Sequence, residues 1–567
     1  MKFSQMPYQR PDIEVAGKYL RSAAARFSSA AGFDEADAVF RETDSFIGRT
    51  ETMFTLAHIR HTINTEDEFY DGEMAFIDEV QPQLEEALQQ WKLAVLGTKF
   101  RREFSEKYCE LMFTNTEIAL KTFSPEIIPE LQKENALTTE YSKLLASAQI
   151  PFEGGVYTLS QLNPLKLDPD DDRRHAAWRA EADWYCANRN RLDGIYDELV
   201  RLRDAMGRKL GFDGYTPLGY CRMTRNCYTK EDVEKFRAAV VKYLVPLADA
   251  VYRRQARRLG KPYPMGYPDN ALEFRSGNPK PFGSAEDILA QGKRFYHELS
   301  PETAQFIDFM YENELLDVLS RKGKAGGGYC SSLYAYKSPF IFANFNGTAG
   351  DVEVITHEAG HAFANYTARD VIPAECQWPT LEACEVHSMS MEFFAWPWLD
   401  GFFGKDTAKF RFTHLSGALT FIPYGTLVDH FQHIVYEHPE MTPARRHEVW
   451  KELTAVYMPW MKQDPALPFY GEGRAWQRQR HIYASPFYYI DYCLAQTVAL
   501  QFWAEIQKDP EAAWEKYMAY TRPAGTRTFR ELVEIAGLSS PFGEEALRQV
   551  AQAAGTWLEN YDLSGIE

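Results

Sequence analysis

Apolar residues recur along most of this chain at intervals of three and four. Leu84, Leu88, Trp91 and Val95 step by 4, 3 and 4, which makes a stripe down one side of a helix. Pro82, just ahead of them, is expected to start or kink that helix. Asp170, Asp171 and Asp172 precede a longer segment in which Trp178, Tyr185, Leu192, Tyr196 and Leu199 keep helical spacing. Acidic residues suit such a start, where unpaired backbone amides gather. Further helical stretches are expected around 230–258, 285–320, 381–396 and 443–457. Strand signals are few. One is Val156-Tyr157-Thr158-Leu159 after Gly154-Gly155; the other runs from Tyr329 to Phe345 behind three glycines at 326–328. Pro339 inside that run predicts an edge position or a break between two strands. The Pro- and Gly-rich stretch 261–284 reads as a surface excursion. The pattern predicts a mainly α protein.

Length and composition narrow the class. At roughly 150 residues per domain, a chain of 567 makes three or four domain-sized masses, or fewer large ones. Hydrophobic residues at 45% and charged ones at 25% exclude a long disordered or fibrous chain. Lys+Arg number 62 against 80 Asp+Glu, a formal charge of −18. That argues against a nucleic-acid partner, which would call for a basic face. The eight cysteines are scattered with no CxxC pair, so neither a zinc ribbon nor a disulfide scaffold is expected. The first residues lack the apolar core of a secretory signal, and a reducing cytoplasm is the expected home. Ala484 to Ala504 is the most membrane-like stretch. It carries Asp491 as its one charge, yet it is rich in Tyr, Gln and Ser, and a buried helix fits it better than a span. No membrane association is expected.

One motif carries chemistry. Residues 357–361 read His-Glu-Ala-Gly-His. On a helix, His357 and His361 project from one face a turn apart, so two imidazoles can share one metal ion. Glu358 is rotated about 100° from His357, poorly placed as a ligand but able to reach a water bound to the metal. Thr348 and Asp351 have the spacing of a capping box for this helix. A single-zinc hydrolytic site needs three protein ligands and one open position. Glu375, Glu382, Glu385 and Glu392 follow as candidates for the third ligand, and spacing alone does not choose among them.

The run from Asn344 to His361, NFNGTAGDVEVITHEAGH, resembles the thimet-oligopeptidase-like family of zinc metallopeptidases, most of all its oligoendopeptidase F branch. In that family the third ligand is the Glu of a Glu-x-x-Ser pattern about two dozen residues after the second His. Glu385-Val-His-Ser388 matches it, so the resemblance implies that His357, His361 and Glu385 hold one zinc ion per chain. Glu382 and Glu392 are then supporting residues. His387, about 200° round the helix from Glu385, is a poor ligand. A second block, His481-Ile-Tyr-Ala-Ser-Pro-Phe-Tyr-Tyr-Ile-Asp-Tyr492, resembles the family segment whose His and tyrosines face the substrate. Its Tyr489-Ile-Asp-Tyr492 element also resembles one in the angiotensin-converting-enzyme-like peptidases. By that likeness Tyr492 is expected to stabilise the transition state, with His481 and Tyr489 beside it; Tyr488 and Tyr489 are the alternatives.

The resemblance implies a two-lobed helical ellipsoid around a deep substrate channel, with a small β-sheet beside the HExxH helix. An N-terminal lobe of residues 1–200 and a catalytic lobe of residues 201–567 are expected. The implied activity is a zinc-dependent endopeptidase that hydrolyses internal bonds of oligopeptides. Zinc would lower the pKa of a water and polarise the scissile carbonyl, while Glu358 acts as general base and then general acid. The backbone of Phe340, Phe342, Ala343, Asn344 and Phe345 is expected to hold the substrate extended, as an added strand. A zinc carboxypeptidase or dipeptidase, and a non-enzymatic peptide binder, are the rival readings. His430, His433 and His438 lack acidic partners in a ligand pattern, and His447-Glu448 lacks a second His. These read as ordinary helix-face histidines. Nothing in the sequence speaks to oligomeric state.

Overall fold

A computed structural model of the chain describes residues 1–564 and 566, apart from the side chain at position 82. Helix accounts for 71% of the residues and strand for 4%. The chain forms two compact units interleaved along its length. The first takes Met1–Leu120, Lys280–Thr407 and Glu505–Leu538; the second takes Lys121–Pro279, Ala408–Ala504 and Ser539–Glu567. This is a different partition from a single cut near residue 200.

The first unit contains helices α1 (Phe33–Ile63) and α2 (Glu68–Leu96). In α2 the stripe of Leu84, Trp91 and Val95 is buried. The helix does not start at Pro82: the Asp67 carboxylate accepts from the amides of Phe69 and Tyr70 and caps it far upstream. In the second unit, α3 (Asp171–Lys209) behaves as its pattern predicts. Asp170 caps it through the Arg173 amide, and Trp178, Tyr185, Leu192, Tyr196 and Leu199 are all buried.

The expected strand at 156–159 is shorter than its apolar run. β1 (Ile150–Phe152) and β2 (Gly155–Tyr157) form a hairpin, and Thr158 then starts a short helix through a capping box with Gln161. The 261–284 stretch is not a plain surface excursion. Met265, Leu272 and Phe274 are buried, and the Gln255 amide donates to the carbonyls of Asn270 and Leu272.

The sheet that matters for the site lies in the first unit. After α4 (Ala285–Leu299) and a further helix, Pro301–Glu312, the chain makes β3 (Leu316–Leu319), β4 (Tyr329–Leu333) and β5 (Ser338–Phe345). β3 falls inside the stretch expected to be helical. Glu314, with φ 56°, ends the helix, and Leu316 and Asp317 pair in parallel with Ile341 and Phe342. β4 pairs antiparallel with β5, Tyr329 opposite Phe342 and Leu333 opposite Ser338. The order is β3-β5-β4.

β5 is therefore the central strand, and the expected edge role of Phe340–Phe345 is overturned. Both of its sides are hydrogen-bonded, and Phe340, Phe342, Ala343 and Phe345 are buried. A continuous apolar run is what a strand covered on both faces requires. Pro339 is tolerated because β3 reaches only as far back as Ile341, so the start of β5 has one unpaired side. The predicted break is present: a turn at Tyr334–Tyr336 and Lys337 at φ 50° separates β4 from β5.

α5 (Ala349–Ala368) follows β5 directly, then α6 (Leu381–Phe394). The Ala484–Ala504 stretch becomes most of α7 (Tyr489–Ile506), and α8 (Pro510–Thr521) comes next. Among the described residues, no helix is long and apolar enough to cross a membrane.

Candidate metal centre and the aromatic block

The chain turns from β5 into α5 through Asn346 and Gly347. The expected capping box does not form. Thr348 Oγ1 donates instead to Asn346 Oδ1 at 2.7 Å. The Asp351 carboxylate reaches back to the amides of Asn346, at 2.9 Å, and Gly347, at 2.7 Å. An acidic side chain in the first turn also suits the helix dipole. This fixes the entry of α5 against the sheet nearly two turns before His357.

α5 carries His357, Glu358 and His361; α6 carries Glu385. Glu385 Oε2 lies 3.4 Å from His357 Nε2 and 3.4 Å from His361 Nε2. One ligand atom from each of the three residues falls within 4.8 Å of the others, and among the described residues no other such cluster of His, Cys, Asp or Glu forms. Two imidazoles and one carboxylate converging this closely fit a zinc-type ligand set with a position left open.

Supporting contacts fix each ligand. His357 Nδ1 is hydrogen-bonded to Glu392 Oε1 at 2.6 Å, which leaves Nε2 to face the cluster. Ser388 Oγ donates to Glu385 Oε2 at 3.1 Å, giving the second residue of the Glu-x-x-Ser pattern a physical task. Glu382 is fully buried and accepts from Thr380 Oγ1 at 2.7 Å. His387 points away: its ring packs against Tyr520 at 5.2 Å, its carbonyl accepts from Tyr517 of α8, and burial pulls its pKa down to about 3.

The electrostatics of the cluster follow from its geometry. Burial pulls the His357 pKa down, but the Glu385 and Glu392 carboxylates outweigh it and hold the imidazole well above its ordinary value. For Glu385 burial pushes up, and His361 and His357 together bring its pKa well below the usual carboxylate range.

Sequence reasoning missed the residue that lets α5 and α6 meet. An added Cβ at Gly360 would stand 2.8 Å from Ser388 Cα and 3.0 Å from the His387 carbonyl oxygen. The Gly in His-Glu-Ala-Gly-His is thus a close-approach position. Its place between the two histidines was the available signal. On the other side, buried Tyr296 of α4 donates to the Ile355 carbonyl at 3.1 Å.

Glu358 is partly exposed and looks toward the Gly-rich lead into β4: an added Cβ at Gly328 would lie 3.9 Å from Glu358 Oε1. β4, not β5, is the strand beside it with one side unpaired, and its first three residues are partly exposed. Asn344 is the one partly exposed residue of β5; its Nδ2 donates to the carbonyls of Ala325, at 2.8 Å, and Gly327, at 3.0 Å.

The second block forms a cluster of its own in the second unit. The His481 ring lies 5.5 Å from Tyr488, 5.2 Å from Tyr489 and 5.9 Å from Tyr492, and Tyr488 and Tyr492 are 4.8 Å apart. His481 Nδ1 meets the Gln479 amide at 2.8 Å. Tyr483 is fully buried, stacks on Tyr141 at 3.9 Å and donates to the Leu192 carbonyl. Asp491 is buried against Arg225, at 3.3 Å, and Tyr228, at 3.0 Å. His430 is held by Tyr457 at 3.0 Å, His433 by Tyr220 at 3.1 Å, and His447 by Asp193 at 3.2 Å.

The chain is similar to known proteins over most of its length. Residues 3–123 match the peptidase M3 N-terminal domain and residues 285–552 match peptidase family M3. A solved structure of PZ peptidase A with an inhibitor is 45% identical, with a TM-score of 0.94, covering 99% of this chain and 100% of its own. A Bacillus anthracis protein described as an oligoendopeptidase F is 42% identical, with a TM-score of 0.90, over 99% of both chains. Oligopeptidase PepF of Bacillus subtilis is 21% identical over 540 residues, 89% of this chain and 77% of its own. The chain belongs to peptidase family M3, in its oligoendopeptidase F branch.

Proposed function

We propose that this peptidase is a zinc-dependent endopeptidase that hydrolyses internal bonds of oligopeptides. The observation that carries the reading is the convergence of His357, His361 and Glu385 within 4.8 Å, with Glu358 on the same helix as the two histidines. His357 and His361 would hold the ion through Nε2, and Glu385 through its carboxylate. A bound zinc supplies Lewis acidity, which polarises a carbonyl and brings the pKa of a water toward neutrality.

The chain's own groups do the rest. Glu358 removes a proton from the attacking water and delivers it to the departing amine. Glu392 and Ser388 keep His357 and Glu385 in the ligating orientation. The substrate backbone adds to the free side of β4 at Gly328 and Tyr329; Phe340, Phe342, Ala343 and Phe345 support that strand from behind. From the family resemblance we assign hydrogen-bond donation to the oxyanion to Tyr492, with His481 and Tyr489 beside it. Among the described residues none of the eight cysteines is joined in a disulfide, which suits a reducing compartment.

The test is cleavage of a fluorogenic peptide blocked at both ends, with metal analysis of the same preparation. The reading expects about one zinc per chain, hydrolysis at an internal bond, loss of activity with a chelator and recovery with zinc. Cleavage restricted to peptides with a free terminus would overturn the endopeptidase assignment.

A further inference from the structure

The segment from Gly323 to Gly328 ought to be loose. It holds four glycines among six residues, Gly327 lies at φ 96°, and 326–328 are exposed. Yet several hydrogen bonds tie it down. The buried Lys324 ammonium bonds to the Asp317 carboxylate at 2.7 Å, the Leu319 carbonyl at 3.0 Å and the Ala343 carbonyl at 2.5 Å. The Ala325 amide donates to the Thr62 carbonyl at 2.8 Å and the Thr65 amide to the Gly323 carbonyl at 2.7 Å. The last tie is Asn344, whose single Nδ2 donates to both the Ala325 and Gly327 carbonyls. It bonds the two residues on either side of Gly326, just before the backbone passes Glu358.

Position 328 has its own signature. A Cβ there would meet nothing nearer than the Phe342 carbonyl oxygen at 3.4 Å, with Glu358 Oε1 at 3.9 Å, and Gly328 is not among the residues with positive φ. The fold would therefore accept alanine. What the missing side chain leaves clear is the space in front of the Glu358 carboxylate.

We infer that Asn344 is a positioning residue and Gly328 a substrate-contacting one. Asn344 holds 325–328 as a rigid rail in its bound conformation, and the bare Gly328 backbone lets a peptide chain lie against Glu358. The ligand class is the extended backbone of a peptide, read through main-chain hydrogen bonds rather than side chains. The inference rests on the peptidase reading above. Preorganising the rail removes an ordering cost from substrate binding, so its loss falls on KM more than on kcat.

The experiment has a structural arm and a kinetic arm. Hydrogen exchange on the zinc-loaded protein reads the rail directly, whether or not peptides are cleaved. Asn344→Ala and the isosteric Asn344→Asp, which cannot donate to two carbonyls, should both speed exchange of the 325–329 amides and leave 349–368 and 381–394 unchanged. In hydrolysis of an end-blocked peptide both should raise KM roughly tenfold with kcat little altered and zinc content full. Gly328→Ala should leave exchange, zinc and stability as in the parent and lower kcat/KM by at least roughly tenfold. Unchanged exchange in both Asn344 variants would overturn the positioning role. So would faster exchange with parental kinetics, which is the mark of a purely structural tie. A fully active Gly328→Ala would overturn the substrate contact. If no blocked peptide is cleaved by the parent while exchange responds as expected, the endopeptidase reading fails and the positioning of the rail survives.

Discussion

Glu385, Glu382 and Glu392 share one helix and one charge, and their surroundings separate them. Glu385 faces two imidazoles at 3.4 Å each, Glu392 touches the far nitrogen of His357, and Glu382 is bound to Thr380. Glu385→Ala should lose zinc in moderate chelator. Glu392→Gln should bind zinc about 10–100-fold more weakly, as expected when the partner of a ligating imidazole is altered. Glu382→Ala should hold the ion. Chelator-competition titration of the three variants checks the order. Spacing left these carboxylates tied as ligand candidates because the course of the chain between α5 and α6 was unknown. The Glu-x-x-Ser resemblance picked Glu385, and the Ser388 contact supplies a reason for the pattern. Tyr492 is a residue-scale question of another kind, resting on resemblance. If its hydroxyl serves the oxyanion, Tyr492→Phe should keep its zinc and KM and lose at least tenfold in kcat, given that a lost donor commonly costs about 10²–10³. Tyr489→Phe should lose less and Tyr483→Phe little, since the Tyr483 hydroxyl is spent on Leu192. Comparing kcat for the three at one pH decides between Tyr492 and its neighbours.

At the scale of elements, the site depends on how closely α6 approaches α5. Gly360 sets that distance, because a methyl group there would press on Ser388 Cα at 2.8 Å. Gly360→Ala should therefore destabilise the fold by about 1–3 kcal/mol, the usual cost of overpacking, and weaken zinc binding by moving Glu385 away from the histidines. Thermal melts with and without zinc should show a smaller metal-induced rise in Tm than the parent. Helical elements were legible wherever a stripe repeated, as in α2 and α3, because one buried face imposes its period on the chain. The sheet was only half legible. An apolar strand looks the same in sequence at an edge or in the centre, and what decides is pairing with β3, a four-residue strand hidden behind a helix. That is why Phe340, Phe342, Ala343 and Phe345 proved to be buried support rather than an open edge. Thr348 misled in the same way, since spacing alone does not say that its hydroxyl is taken by Asn346.

At the scale of the whole molecule, each compact unit gathers three separate stretches of chain. Sequence reading cuts a chain serially and has no signal for such returns, whereas the family and the clustering of His357, His361 and Glu385 were legible because they rest on short contiguous motifs. The interleaving also brings the N-terminal helices of the first unit against the sheet beside the candidate metal centre: Thr62 of α1 meets the Tyr329 hydroxyl at 2.6 Å, at the start of β4. The central claim is that this unit performs metal-assisted hydrolysis with Glu358 as the base and not as a ligand. The most direct test is Glu358→Gln, with zinc content and turnover of an end-blocked peptide measured on one preparation. The account predicts about one zinc per chain, as in the parent, with kcat lower by 10²-fold or more, roughly the scale of a lost general base. A variant that loses its zinc, or one that keeps both zinc and parental turnover, would contradict it.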